Sequence, residues 1–535
     1  MKTILLMVAG CALCAVQAHA ASLSGTVRDQ ADKPVRGAFV SAKSHASPMT
    51  SYVVSDVDGR YTIADLFPGE YDLGATKPGF ADVEQRDVTL TANGGEHDFS
   101  VKRIADKPEQ LPGNVWLADL PDGEFKARFV TGCTICHDIG AEPVRRERSR
   151  EEWIAAIAMM RGGLDIYSVI PDLDNAELAD WLLEHEFGKT PAKVPLAAAS
   201  ANVVMTLYDV GDVDSWAHDM IIEPRTGAAW VGDYPYDQLI RVDPRTGAQK
   251  TYALPVTGGG MHTLHFDEAG FLWITLQLTD MVARFDPAAE TFRIYGGFQP
   301  GSLIHSFAYD EHGLIAFDTR GRMWLSEFGT NALASLNPDT GEVKEYALRG
   351  DAGHTYGVAL DSKERVWFTK YNENTFGYLD PATGSVVEKQ MPRPYSAPHR
   401  MDIDDKDRLW IPNSGYGTLA MYDIGSDVLR EIPLPDPDTF PYAVRFDGAT
   451  GTVWVTGNGA NSLYRFDPRD ETFTTYRLPV SEAYGRMIAI DYSSGDVWTA
   501  LSNYPNKHTG RKTGTLVRLR NVPPPRRPRG AGNQP

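Results

Sequence analysis

The sequence predicts a multidomain, mainly β protein: an N-terminal β-sandwich, a small α-helical module and a C-terminal seven-bladed β-propeller. Three observations carry that prediction. Seven of the 11 tryptophans, Trp230, Trp273, Trp324, Trp367, Trp410, Trp454 and Trp498, recur at intervals of 43, 51, 43, 43, 44 and 44 residues. A period in the low forties filled with short strands is the signature of propeller blades. Residues 22–103 alternate apolar and polar in short runs broken by Gly, Pro and Asp, the pattern of a small antiparallel sandwich. Residues 104–195 switch to helical periodicity behind two capping-box signatures, Ser149-x-x-Glu152 and Asp174-x-x-Glu177.

Composition bounds the rest. A chain of 535 residues is too long for one core, and two to four domains are expected. The formal charge of −19 argues against a nucleic-acid partner, which needs a basic surface. Met1-Lys2, the apolar stretch 4–16 and Ala18-His19-Ala20 read as a signal peptide over residues 1–20, cleaved near Ala20. A lipobox reading of Val8-Ala9-Gly10-Cys11 competes, but leaves a short apolar region before the cysteine. No later stretch has the length of a membrane span. The expected protein is periplasmic or secreted. With the leader gone, only Cys133 and Cys136 remain of the 4 cysteines, which excludes a disulfide scaffold.

The sandwich segment resembles the carboxypeptidase regulatory-like domain through "SGTVRD…PVRGAFVSA", "SDVDGRYTIADLFPGEYDL" and "KPGF". That resemblance implies a module without catalytic residues of its own. Asp56-x-Asp58-Gly59 lacks the later Glu of a calcium loop and reads as a tight turn.

In the helical module, Cys133-Thr134-Ile135-Cys136-His137 places two thiols on one turn. They can form thioethers to haem vinyl groups, with His137 as the proximal iron ligand. A CxxC redox pair, half of a zinc site and coincidence are the alternatives. The first needs a βαβ context and the second further Cys or His nearby, and neither is present. The helix around 125–137, the helix carrying Trp153 and Met160, and the closing helix 177–187 together resemble a small class I cytochrome c over residues 110–190. The resemblance implies one covalent haem c with a Met thioether as second axial ligand. Its Trp-to-Met spacing favours Met160 over the adjacent Met159; both as core methionines is the remaining alternative.

The propeller, residues 201–521, carries a second marker in phase: Asp243, Asp286, Asn337, Asp380, Asp423 and Asp467. The strand at 203–208 precedes the first full unit and is expected to pair with the three-stranded last one, closing the ring. The extra residues before Trp324 are expected at 301–311, at a blade junction. Units such as 312–327 and 366–379 resemble the streptogramin (virginiamycin B) lyase family. In that family lyase histidines begin the inner strands of the last two blades, the final one preceded two positions earlier by Glu. Here Glu482 matches, but Tyr442 and Tyr484 stand at the histidine positions. Lyase chemistry then lacks its usual proton carrier.

Histidines gather elsewhere. His218, His262, His312, His354 and His399 lie 11 to 13 residues before a repeat tryptophan, where inner strands begin at one mouth of the channel. His218, His262 and His399 also share an offset of five from the turn acids Glu223, Asp267 and Asp404. These three are candidate ligands for an additional metal; His399, His312 and Glu482 are the candidate acid–base groups; hydrogen bonding between blades is the plainer alternative. Asp233, Glu327, Lys370, Asn413, Asn458 and Arg486 are candidate pocket-lining groups. Residues 522–535 read as a disordered Pro/Arg/Gly tail. The expected function is a periplasmic c-type haem protein coupling a ligand- or substrate-binding propeller to an electron-transfer partner. The alternatives are a lyase for a cyclic or ester-linked small molecule, and a non-catalytic glycan- or protein-binding module.

Overall fold

The computed structural model describes residues 21–134, 138–162, 173–191, 198–201, 203–350, 354–502, 513–520 and 522. The signal peptide, Cys136, His137 and residues 523–535 of the tail lie outside the described residues.

In the sandwich, alternation buries every second side chain, as in Arg60–Leu66 where Tyr61, Ile63 and Leu66 face inward. One sheet pairs Ala21–Asp29 antiparallel with Arg60–Leu66 and parallel with the short strands Gly95–Glu96 and Phe99–Val101. The other runs Val83–Leu90, Gly69–Thr76, Phe39–Ser44, Met49–Val54. Val27, Val40, Ile63, Leu73 and Phe99 meet between the sheets. Asp56 and Gly59 form the expected tight turn: Asp56 Oδ1 accepts from the Asp58 and Arg60 amides at 2.9 Å, and Gly59 takes φ +73°.

Five helices follow among the described residues: α1 (Gly113–Leu117), α2 (Glu124–Cys133), α3 (Glu142–Arg145), α4 (Arg150–Gly162) and α5 (Asn175–Glu184). The α4 box is reciprocal: the Ser149 amide donates to Glu152 Oε2 at 2.8 Å and the Glu152 amide to Ser149 Oγ at 3.2 Å. Asp174 caps α5 by accepting from the Ala176 and Glu177 amides. Phe129, Trp153 and Phe187 pack at ring separations of 5.6 and 5.9 Å, and Trp181 closes on Phe125 at 4.7 Å. No helix of the described residues is long and apolar enough to cross a membrane.

Six four-stranded antiparallel sheets follow, and a seventh closes the ring when Gly514–Arg520 pairs with Val204–Val210. The N-terminal strand thus supplies the outer edge of the last blade, as expected. That strand also pairs on its far side with Met49–Val54 of the sandwich, so blade 7 and one sandwich sheet form a single eight-stranded sheet. The pairing covers an edge that would otherwise be open.

The repeat tryptophans are fully buried. In blades 1 to 5 the indole N–H donates to a turn carboxylate: Trp230 to Glu223, Trp273 to Asp267, Trp324 to Asp318, Trp367 to Asp361 and Trp410 to Asp404, at 2.8–3.1 Å. A buried indole needs such an acceptor, which fixes its distance from the hairpin turn. The eight extra residues of blade 3 are not at 301–311. They lie between the strands Ile304–Phe307 and Met323–Glu327, where a second turn at Asp310 precedes the one at Asp318.

Candidate functional site

Each inner strand starts with a residue on the ladder followed by one turned into the channel. In every blade but the fifth the pairing register breaks there, between Ala217 and Met220 in blade 1 and at equivalent places elsewhere. A bulge of this kind redirects side chains at a strand end. The seven positions are His218, His262, His305, Tyr356, His399, Tyr442 and Arg486, all buried.

They form a continuous ring of contacts. Centroid separations are 4.0 Å from His218 to His262, 3.9 Å to His305, 4.1 Å to Tyr356, 5.1 Å to His399 and 4.4 Å to Tyr442. Arg486 donates to Tyr442 Oη at 3.0 Å and lies 5.7 Å over Trp216, which returns to His218 at 5.3 Å. Tyr356 and Tyr442 share a hydrogen bond between their hydroxyls. Across the channel, Arg400 Nη2 grips both oxygens of Asp219 at 2.9 and 2.7 Å.

Burial holds the imidazoles of His218, His262, His305 and His399 well below the usual histidine range, and the positive charge of Arg400 and Arg486 adds to it. They are neutral at physiological pH. The tautomer of His399 follows from its neighbour. Ser414 Oγ donates to the Pro441 carbonyl at 2.7 Å, so its contact with His399 Nδ1 is one in which the imidazole donates. His399 Nε2 is therefore a bare lone pair, buried and without a hydrogen-bond partner among the described residues.

Of the expected channel histidines, His218, His262 and His399 take the predicted places. His312 does not: its side chain is 54 % exposed, in the loop at the opposite mouth beside Tyr492. The inserted turn moves every count from Trp324 by eight residues, and the ring position of blade 3 belongs to His305. His354 flanks the mouth two residues before Tyr356. The offset of five identifies all seven positions: Asp310, Asp361, Asp447 and Asp491 follow His305, Tyr356, Tyr442 and Arg486 at the same distance. His218, Asp219 and His262 bring one potential ligand atom each within 4.8 Å of one another; His399 is not of that group, and Asp219 is already held by Arg400. Asp233, Glu327, Lys370, Asn413 and Asn458 are buried at blade junctions, Lys370 pairing with Glu373 and Glu388.

Both mouths of the channel are covered. At the far mouth the inserted loop of blade 3 crosses the bore: Tyr309 Oη donates to Met401 O at 3.3 Å, and Arg445 and Tyr492 donate to Asp310 O and Glu311 O at 3.1 and 2.5 Å. At the near mouth the cover is α2. Tyr371 Oη donates to Thr131 O and Tyr484 Oη to Thr134 O, both at 2.6 Å. Lys126 pairs with Asp438 at 2.8 Å, and Asn114 Nδ2 donates to Pro437 O at 3.0 Å. Phe129, Val130, Tyr442 and Tyr484 belong to one continuous core.

Cys133 ends α2, and burial pushes its thiol up to about 12. On α4, Met160 is half-buried while Met159 is 72 % exposed. Arg161 Nη1 donates to Asn175 Oδ1 at 2.6 Å; its Nη2 and the indole N–H of Trp153 are buried without hydrogen-bond partners among the described residues. Burial raises Glu482 to about 7, against the lowering effect of Arg145.

Residues 205–421 and 314–506 match the model of the virginiamycin B lyase family, and residues 22–101 that of the carboxypeptidase regulatory-like domain. A comparison with curated proteins returns no match. Among solved structures, the chain is similar to selenomethionine-substituted virginiamycin B lyase from Staphylococcus aureus, with a TM-score of 0.51 and 18% identity over 60% of this chain and 100% of that one. A catalytically inactive histidine-to-alanine variant of the Staphylococcus aureus enzyme with quinupristin gives a TM-score of 0.51 at 20% identity, over 60% of this chain and 100% of that one. At such identities the likeness establishes the propeller fold.

Proposed function

Starting from a chain that belongs to the virginiamycin B lyase family through its propeller, we propose a periplasmic c-type haem protein that couples this propeller to electron transfer. The observation that supports it most is the Cys133-Thr134-Ile135-Cys136-His137 motif, whose described end terminates a helix lying directly on the propeller mouth.

The residues around Cys133 fit a haem. Cys133 is partly buried against the hydrophobic core to which Phe129, Trp153 and Phe187 belong. Arg161 Nη2 and the Trp153 indole are buried donors in want of acceptors, as propionate oxygens would be. Cys133 and Cys136 would hold the group by thioether bonds, and His137 and Met160 would ligate its iron. When bound, haem supplies a one-electron carrier. The chain's part is to exclude water with the aromatic core of the module and to hold α2 against the propeller.

The lyase reading has less support. The inner strands of the last two blades carry Tyr442 and Arg486 at the ring position, not histidine; Tyr484, expected there, lies two residues earlier, and the hydroxyls of both tyrosines are engaged. Glu482 remains, but helix α2 covers the mouth into which a bulky substrate would have to fit.

Expression of the full chain in a host that attaches haem to CxxCH motifs tests the proposal. An absorption band that stays with the polypeptide through denaturation is expected. Protein without such a band would sink the reading, and turnover with a redox-silent iron would favour the lyase.

A further inference from the structure

The last turn of a helix leaves carbonyls without intrahelical donors. At the end of α2, Thr131 O of the last turn and the carbonyl of the capping residue Thr134 are taken by phenols from opposite sides of the ring. Tyr371 follows the strand Val366–Lys370 of blade 4, and Tyr484 precedes the strand Gly485–Asp491 of blade 7. The mouth is also shaped to the helix. At Gly415 an added Cβ would clash with Tyr395 O of the propeller itself at 2.0 Å and would crowd Thr131 Cγ2 of the helix at 3.1 Å, so blade 5 meets α2 there in close contact. Arg128 lies 5.3 Å over the Tyr395 ring, and Lys126 anchors the other end of the helix on Asp438.

We propose that the propeller mouth is the seat of the haem-attachment helix, with Tyr371 and Tyr484 as positioning residues that fix the Cys133 end of α2. The inference rests on the haem reading above for its redox consequence, though not for the seat itself. Each phenol offsets the partial negative charge of a carbonyl, Thr134 O within the attachment motif and Thr131 O just before it. Removing one leaves that charge exposed, which favours the more positive, oxidised iron.

The test uses the full-length holoprotein and the variants Tyr484→Phe and Tyr371→Phe, with Tyr236→Phe on the exposed side of blade 1 as a control. Amide exchange over residues 124–134 is expected to quicken in each of the two variants and stay unchanged in the control. The reduced-to-oxidised ratio of the haem at a fixed applied potential is expected to fall several-fold. Unchanged exchange overturns the seat; faster exchange with an unmoved ratio overturns the positioning role. If the wild-type chain carries no covalent haem, the haem reading fails by itself, and exchange alone decides whether the mouth is a seat.

Discussion

The two mouths of the propeller channel are closed by different means. The far mouth is closed from within: blade 3 carries one turn too many, and the loop reaches blades 5, 6 and 7 through Tyr309, Asp310 and Glu311. Arg445, which donates to Asp310 O of that loop, also forms a buried ion pair with Asp402 at 3.4 Å. The near mouth is closed by a separate module, through two phenols, one lysine and an apolar patch. A closure made of the repeat's own chain is a stability device. One made by a second module turns a propeller mouth into a contact through which that module can be oriented.

The sharpest break of this comparison is at the near mouth. Replacing Cys133 and Cys136 together by Ser is expected to abolish covalent haem while leaving the propeller folded, read by the absorption band after denaturation and by circular dichroism. At the far mouth, Arg445→Met leaves the Asp402 carboxyl buried without its partner. A loss of about 3–5 kcal/mol is expected from urea unfolding, with no change at α2. Lys126→Met separates the two closures more gently. It removes the Lys126–Asp438 bond, for which about 1.5–3 kcal/mol is expected for a charged hydrogen bond, and exchange should quicken in α2 but not in residues 308–322.

Glu482 gives a smaller effect, read as pH dependence. Its carboxyl is raised from 4.5 to about 7 in the folded chain, so the folded state binds more protons than the unfolded one between those values. Stability contributed there is full below the unfolded value and falls as pH rises toward about 7. Glu482→Gln is expected to flatten the melting temperature against pH in that window, and an unchanged profile would remove Glu482 as its source. The smallest effect belongs to His312→Ala, within about 0.5 kcal/mol of wild type, as for an ordinary surface substitution.

Much of the fold is legible because its signals are local. The indole of each repeat tryptophan in blades 1 to 5 bonds a turn acid a few residues earlier, so the period appears in the chain itself. The helix caps at Ser149 and Asp174 are equally local. The channel ring was half legible. Counting from tryptophans fails at blade 3, where eight inserted residues displace His305 and put His312 in its place, whereas the offset of five to a turn acid still finds His305 because the first of the two turns there carries its own acid, Asp310. His305 and Tyr356 escape notice without that second ruler, while Arg486 is legible only as a pocket-lining group.

The sequence by itself determined the mainly β architecture, the seven-fold repeat, its closure by the strand before the first full unit, and the presence of one CxxCH motif. These follow from hydrogen bonds and burial patterns that repeat over short distances along the chain. Only the tertiary structure decided that a sandwich strand pairs with blade 7, that an inserted turn closes one mouth, and that α2 rests on the other. Those contacts join residues hundreds of positions apart, Tyr484 with Thr134 and Tyr371 with Thr131. No local periodicity encodes such pairings; they arise because an unpaired sheet edge and free helix carbonyls must find partners, and the folded propeller presents them.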